Sequence, residues 1–218
     1  MHTPATPQGL IVDWGGVLTE RLDLAVRAWA ENEQIDFEHY RQAMRRWFSP
    51  EEQLEAEINP IHALERGEMT VPDFEARLAA EIQRLDGHPV QTEGLLERMF
   101  STFGTAHAMN ALVVRAKRHG VRTALLSNSW GNRYPRDGWD EMFDVVVISG
   151  EVGLRKPEPE IFGLACSRLD VSPRECVFVD DLAVNVDAAA HLGMTGVLHR
   201  SYDETAARLE ELFGLPLG

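Results

Sequence analysis

Gly9-Leu10-Ile11-Val12-Asp13-Trp14-Gly15-Gly16 is the stretch on which the reading of this chain turns. Leu10 to Val12 form a short apolar run, the pattern of a buried strand, and the run ends in an acid. Gly15-Gly16 then breaks it. Downstream, a long helical stretch spans roughly residues 21–101, with Leu24, Trp29, Tyr40, Met44, Trp47 and Phe48 at near-helical spacing. Pro50, Pro60, Gly67, Pro72 and Gly87 divide it into several helices, and Thr70 before Pro72-Asp73 is a helix start. No strand signal occurs in this block. Beyond it the pattern alternates: helix at 106–119, strand at 123–127, strand at 144–148, helix at 158–169, strand at 176–180, helix at 183–192, strand at 195–198 and helix at 203–213. Such alternation predicts an α/β fold, a parallel sheet with helices on both faces. The all-helical block reads as an insertion, giving a core of 1–20 and 102–218 and an inserted helical cap of 21–101.

Composition narrows the function. The 218 residues suit one large domain with a modest insertion, and the formal charge of −14 carries no basic stripe, which argues against nucleic acid as a partner. Only Lys117 and Lys156 supply lysine, so any lysine chemistry rests on one of the two. Cys166 and Cys176 lie in no metal-ligand pattern and read as buried reduced thiols. No apolar run is long enough for a membrane span, which needs about 18 residues. Met1 to Gln8 is polar and proline-rich, unlike a signal peptide, so a cytoplasmic location is the expectation. There are no internal repeats, and the chain is read as a monomer or homodimer.

In an open parallel sheet, ligands bind beyond the carboxyl ends of the strands. Three strand ends carry suitable residues: Asp13, Ser127-Asn128 and Asp180-Asp181. Lys156 lies in the loop-helix segment that begins at Gly153. Carboxylates converging in one crevice repel one another unless a cation sits between them. Oxygen-only ligands favour Mg²⁺ over zinc. A hydroxyl, an amide and an ammonium beside that ion suit the oxygens of a phosphoryl group. A carboxylate free to attack phosphorus would form an aspartyl-phosphate.

Asp13-Trp-Gly-Gly-Val-Leu, Leu125-Leu-Ser-Asn128, Lys156-Pro and Val177-Phe-Val-Asp-Asp-Leu-Ala-Val-Asn185 resemble, in order, the four signature motifs of the haloacid dehalogenase (HAD) superfamily. The resemblance covers about residues 9–200, and the helical block is similar to the small cap of that family's first subclass. The stretches Ser127-Asn-Ser-Trp-Gly and Gly150 to Pro159 also resemble the N-terminal phosphatase domain of soluble epoxide hydrolases. This implies a Rossmann-like, HAD-like core and a Mg²⁺-dependent hydrolase acting on a small phosphorylated metabolite. Asp13 would be nucleophile and metal ligand, with the Gly15 carbonyl, Asp181 and Asp180 (directly or through water) completing the metal site. Ser127 and Asn128 would hold the phosphoryl group, and Lys156 would neutralise both it and Asp13.

One departure stands out. Phosphatases of this family usually carry a second Asp two positions after the nucleophile, as general acid, and here that position is Gly15. General acid catalysis contributes typically ~10²–10⁴-fold. The leaving group then needs little help, as in a sugar 1-phosphate or aryl phosphate, or another residue such as Glu20 or His62 donates the proton, or the protein is a low-activity phosphate-binding or regulatory module. Haloacid dehalogenation is a weaker alternative, because Asp180-Asp181 stand where dehalogenases carry Ser-Asn-type residues. Phosphonatase chemistry needs a cap lysine, and residues 19–100 contain none. Trp29, Trp47 and Phe48 read as helix core rather than pocket wall. Asn185 and Asp187 are capping residues or supports of the metal ligands, and Arg133 and Arg136 read as a solvated loop.

Overall fold

The computed structural model describes residues 6–48, 59–131 and 133–218; Pro50 and the first five residues of the Met1–Gln8 segment fall outside that range. Among the described residues the chain runs β1 (Gly9–Val12), α1 (Leu22–Asn32), α2 (Phe37–Phe48), α3 (Pro60–Glu65), α4 (Val71–Glu81), α5 (Leu95–Phe100), α6 (His107–Arg118), β2 (Arg122–Ser127), α7 (Trp139–Met142), β3 (Val145–Ile148), α8 (Ser149–Val152), α9 (Pro159–Leu169), β4 (Cys176–Asp180), α10 (Ala183–His191), β5 (Thr195–Leu198) and α11 (Tyr202–Phe213). The five strands form one parallel sheet in the order β3-β2-β1-β4-β5. The strands anticipated from the sequence are all present, to within a residue at their ends. The four-residue helices α7 and α8 were not anticipated.

Alternation along the strands sends successive side chains to opposite faces. Leu10 and Val12 pack with Met109, Leu112, Val113, Leu209 and Phe213 of α6 and α11. Ile11 faces the other way, into Ile161, Phe162, Ala165 and Leu169 of α9 and Ala189 of α10. Both faces of β1 are therefore covered, and its four residues are all buried. Burying each such aliphatic side chain is worth about 1.5–3 kcal/mol, which explains why the strands read as continuous apolar runs.

Between β1 and α6 lie α1 to α5, which enclose a hydrophobic cluster of their own around Trp29, Ile61, Phe74, Leu78 and Leu95. Thr70 caps α4 as its sequence implies, accepting from the Asp73 N–H. α5 has no side-chain cap of its own; buried Glu75 of α4 instead accepts the backbone N–H groups of Gly94 and Leu96 and satisfies that helix end. Trp29 and Trp47 belong to this cluster, as expected. Phe48 does not: it is exposed, because its position at the end of α2 points it away from the cluster.

Chain entry to the helical block and exit from it run side by side. Thr19 bridges Thr105, Glu20 donates its N–H to the Gly104 carbonyl at 2.8 Å, and Ala106 donates to Leu18 at 3.0 Å. A second contact lies at α3. Glu65 Oε2 meets Arg155 Nε at 2.5 Å, and Arg66 pairs with Glu158. These two ion pairs flank Lys156 in the 153–158 loop.

Candidate active site

The sheet order reverses at β1: the chain proceeds outward to β2 and β3, then returns to place β4 on the other side. Ligand crevices form beyond the carboxyl ends of strands at such a switch point. Val12 is in register with Val179, and the Asp13 N–H donates to the Val179 carbonyl at 2.9 Å. Asp13 and Asp180 consequently emerge side by side, although 167 positions separate them in the chain (180 − 13).

Asp13, Asp180 and Asp181 each offer a carboxylate oxygen, and these oxygens lie within 4.8 Å of one another. Lys156 is buried between two of them, its Nζ 2.8 Å from Asp13 Oδ1 and 2.7 Å from Asp180 Oδ2. Burial alone would push the Lys156 ammonium down, but Asp13 and Asp180 outweigh it and hold it above the ordinary lysine value. Burial drives the Asp13 carboxyl up to about 7, against the pull of Lys156, with repulsion from Asp180 and Asp181 adding to it. The Asp181 carboxyl rises to about 6, chiefly by burial and then by repulsion from Asp180.

Each member of the cluster is fixed by local structure. Asp180 accepts from the Leu182 N–H at 2.8 Å and from Asn185 Nδ2 at 3.1 Å to both oxygens, which holds it rigidly at the start of α10. Asn185 therefore supports the cluster, whereas Asp187 is exposed. Gly16 has φ +72°, and a Cβ there would fall 2.3 Å from Asp181 Oδ2, so the turn after Asp13 tolerates only glycine. Asn128 clasps the lysine loop: its Oδ1 accepts the Lys156 N–H at 2.8 Å and its Nδ2 donates to the Lys156 carbonyl at 3.0 Å. Its side chain thus positions Lys156, an arrangement its place after Ser127 did not reveal.

Ser127 closes β2, and its Oγ lies 3.0 Å from the Tyr134 hydroxyl. Tyr134 stands edge-on to Trp14 at 5.0 Å and its phenol is pushed up to about 12, mainly by burial. Tyr134 belongs to no motif; its one signal in the sequence is a lone aromatic hydroxyl between Arg133 and Arg136 in the loop that follows Ser127. Glu65, buried and with its carboxyl raised above the usual range by that burial, likewise carries no motif. It accepts from Trp130 Nε1 at 3.3 Å as well as from Arg155.

Asp13, Gly15, Ser127, Asn128, Lys156 and Asp181 all line one cavity of about 670 Å³, whose far wall is built from α1, α2 and α5. Asp180 lies beneath it, fully buried. Neither Glu20 nor His62 is part of the lining, so neither stands where a leaving-group proton would be needed. Arg133 lines the cavity but is paired with Glu97 at 2.8 Å, and Arg136 is paired with Glu151.

Fold and site define a class: a Rossmann-like α/β protein whose switch point carries an acidic cluster of oxygen donors around one buried lysine. The family profile described as haloacid dehalogenase-like hydrolase matches residues 7–193. The chain is 31% identical over 163 residues to mouse acyl-CoA dehydrogenase family member 10, covering 70% of this chain and 15% of that protein. Against flavin mononucleotide hydrolase 1 of Arabidopsis thaliana it is 38% identical over 138 residues, 59% of this chain and 54% of that one. It spans under a quarter of the first relatives it matches, the mouse and rat bifunctional epoxide hydrolases among them. A HAD family enzyme from Bacteroides thetaiotaomicron, solved with magnesium and inorganic phosphate, shares the fold at a TM-score of 0.64 and 21% identity, covering 89% of this chain and 94% of that one. A dehalogenase shares it equally, at 0.63 and 19%, covering 99% and 100%. The chain belongs to the haloacid dehalogenase-like hydrolases.

Proposed function

We propose that this hydrolase cleaves a small organic phosphomonoester, with Asp13 as the nucleophile, and that magnesium is its cofactor. The observation that carries the reading is electrostatic. Three carboxylates meet within 4.8 Å, and one ammonium leaves two negative charges uncompensated in a buried place. A divalent cation is the charge the donor set lacks, and its oxygens are those a hard ion prefers. Asp13, the Gly15 carbonyl and Asp181 would hold it, with Asp180 acting directly or through water. When bound, the ion would polarise the phosphoryl oxygens and screen the approach of an anionic ester to Asp13.

The chain's own groups do the rest. Lys156 holds Asp13 Oδ1, which fixes the carboxylate and offsets charge on the transferring phosphoryl group. Ser127 Oγ, steadied by Tyr134, donates to a phosphoryl oxygen. Asp13 attacks phosphorus and the P–O bond to the leaving oxygen breaks, giving an aspartyl-phosphate and an alkoxide or phenoxide that takes its proton from solvent water; a second water then hydrolyses the aspartyl-phosphate, restoring the carboxylate and releasing phosphate. The block 21–101 serves as a cap on the core formed by 1–20 and 102–218, closing the cavity over the reacting atoms.

The test is hydrolysis of an aryl phosphate with and without Mg²⁺. We expect turnover that EDTA abolishes and that Asp13→Asn lowers at least 10³-fold, since the covalent route is lost. Turnover that is indifferent to EDTA, or that survives in Asp13→Asn, would defeat the proposal. Gly15 favours a second reading, a phosphate-binding module of low turnover; tight phosphate binding with no hydrolysis would select it. Dehalogenation fits less well, because Asp181 and its unbalanced charge have no task in a reaction without metal.

A further inference from the structure

The cavity changes character from one end to the other. At the strand ends it is polar; toward the helical block its wall is Trp14, Val26, Phe37, Phe100, Phe103 and Trp130, all half-buried and facing the same space. The rings are organised: Trp14 stacks on Phe103 at 6.3 Å, and Phe103 meets Phe100 edge-on at 5.2 Å. A half-exposed aromatic wall inside a concave site is the usual lining for an apolar ligand body.

Several of the cavity's polar groups are already engaged. Glu65 is held by Arg155 and Trp130, Asn128 by the Lys156 backbone, and Asn185 by Asp180. Two of the cavity's arginines are paired with acids, Arg41 with Glu38 at 3.1 Å and Arg133 with Glu97, while Arg27 lies over the Phe37 ring at 4.3 Å. A sugar's hydroxyls pressed against these rings would leave water for apolar carbon, which costs more than placing an apolar body there.

We infer that the substrate is the phosphomonoester of an apolar alcohol, an aromatic ring or an alkyl chain. The inference rests on the phosphatase reading and adds the chemical class of the leaving alcohol. The apolar body lies against the Trp14–Phe103–Phe100 wall, and the ester oxygen meets Asp13 at the polar end.

The experiment measures KM and kcat with Mg²⁺ at neutral pH, comparing esters within one leaving-group class so that intrinsic reactivity cancels. Octyl phosphate is set against glycerol phosphate and glucose 6-phosphate, and 1-naphthyl phosphate against phenyl phosphate. We expect KM for octyl phosphate at least 100-fold below both polar esters, and naphthyl below phenyl by about 10-fold. The larger of the two gains shows whether the wall favours a chain or a ring. In Val26→Glu the octyl advantage over glycerol phosphate should fall at least 10-fold; the wild-type panel decides the matter even if that variant folds poorly. Equal or lower KM for the polar esters overturns the apolar assignment and leaves the phosphatase reading standing. No magnesium-dependent turnover of any ester overturns the phosphatase reading and this inference with it.

Discussion

A side chain at position 15 would begin 3.2 Å from Leu22 Cδ1, at the junction between the acidic cluster and the helical wall. That is where a proton donor for the leaving alcohol would have to stand. Leu22 can rotate its terminal methyl aside, and the backbone at Gly15 imposes no left-handed constraint, unlike Gly16. Gly15→Asp should therefore raise kcat on alkyl phosphates by about 10²-fold, the low end of what a placed acid supplies, and much less on aryl phosphates. Equal or reduced activity on both classes would show that the missing acid is not what limits turnover. Position 15 was legible in the sequence because it sits at a fixed offset from Asp13. Lys156, Asp180 and Asp181 were legible for a like reason, each belonging to a strand end or a punctuated loop. Tyr134, Glu65 and Trp14 were not, because their place at the site is decided by packing between segments far apart in the chain: Glu65 meets Arg155 across 90 positions.

At the scale of elements, α3 couples the inserted helices to the lysine loop. Glu65 and Arg66 grip Arg155 and Glu158, and Asn128 holds Lys156 from the other side. Half-buried His62 on the same helix is depressed to about 4, first by burial and then by Arg155 and Arg66. The sign follows: a folded value below the ordinary 6.5 means that stability is fully present above pH 6.5 and is lost as pH falls toward 4. Protonated His62 would press against the two arginines that dock α3. Over that window wild type should lose more thermal stability than His62→Gln; parallel melting curves for the two would show that His62 is neutral to docking. Helix periodicity disclosed the long elements α2, α4, α6 and α9, whereas α7 and α8, at four residues each, are too short to show a period. How α3 docks had no signature at all, since ion pairs between segments leave no trace in local pattern.

For the molecule as a whole, the parallel topology itself creates the site, because the reversal at β1 forces the ends of β1 and β4 together and with them three acids. Without a cation this juxtaposition opposes folding. Asp181 is raised from 3.8 to about 6, so its carboxylate is harder to accommodate folded than unfolded, and the cost develops as pH rises from about 4 to 6. At pH 7.5 in EDTA, Asp181→Asn should relieve on the order of 1 kcal/mol, allowing for solvent around a partly exposed group. That corresponds to about 2–4 °C in Tm for a chain of this length. Magnesium reverses the balance, since an ion that binds only the folded form adds about 2.7 kcal/mol at a hundredfold excess over its Kd. Wild type should thus melt about 5–10 °C higher in saturating Mg²⁺ than in EDTA. Asp181→Asn should start higher in EDTA and gain little. A wild-type melting point unmoved by Mg²⁺, or an equal gain in both proteins, would mean that the strand-end carboxylates do not form the cation site.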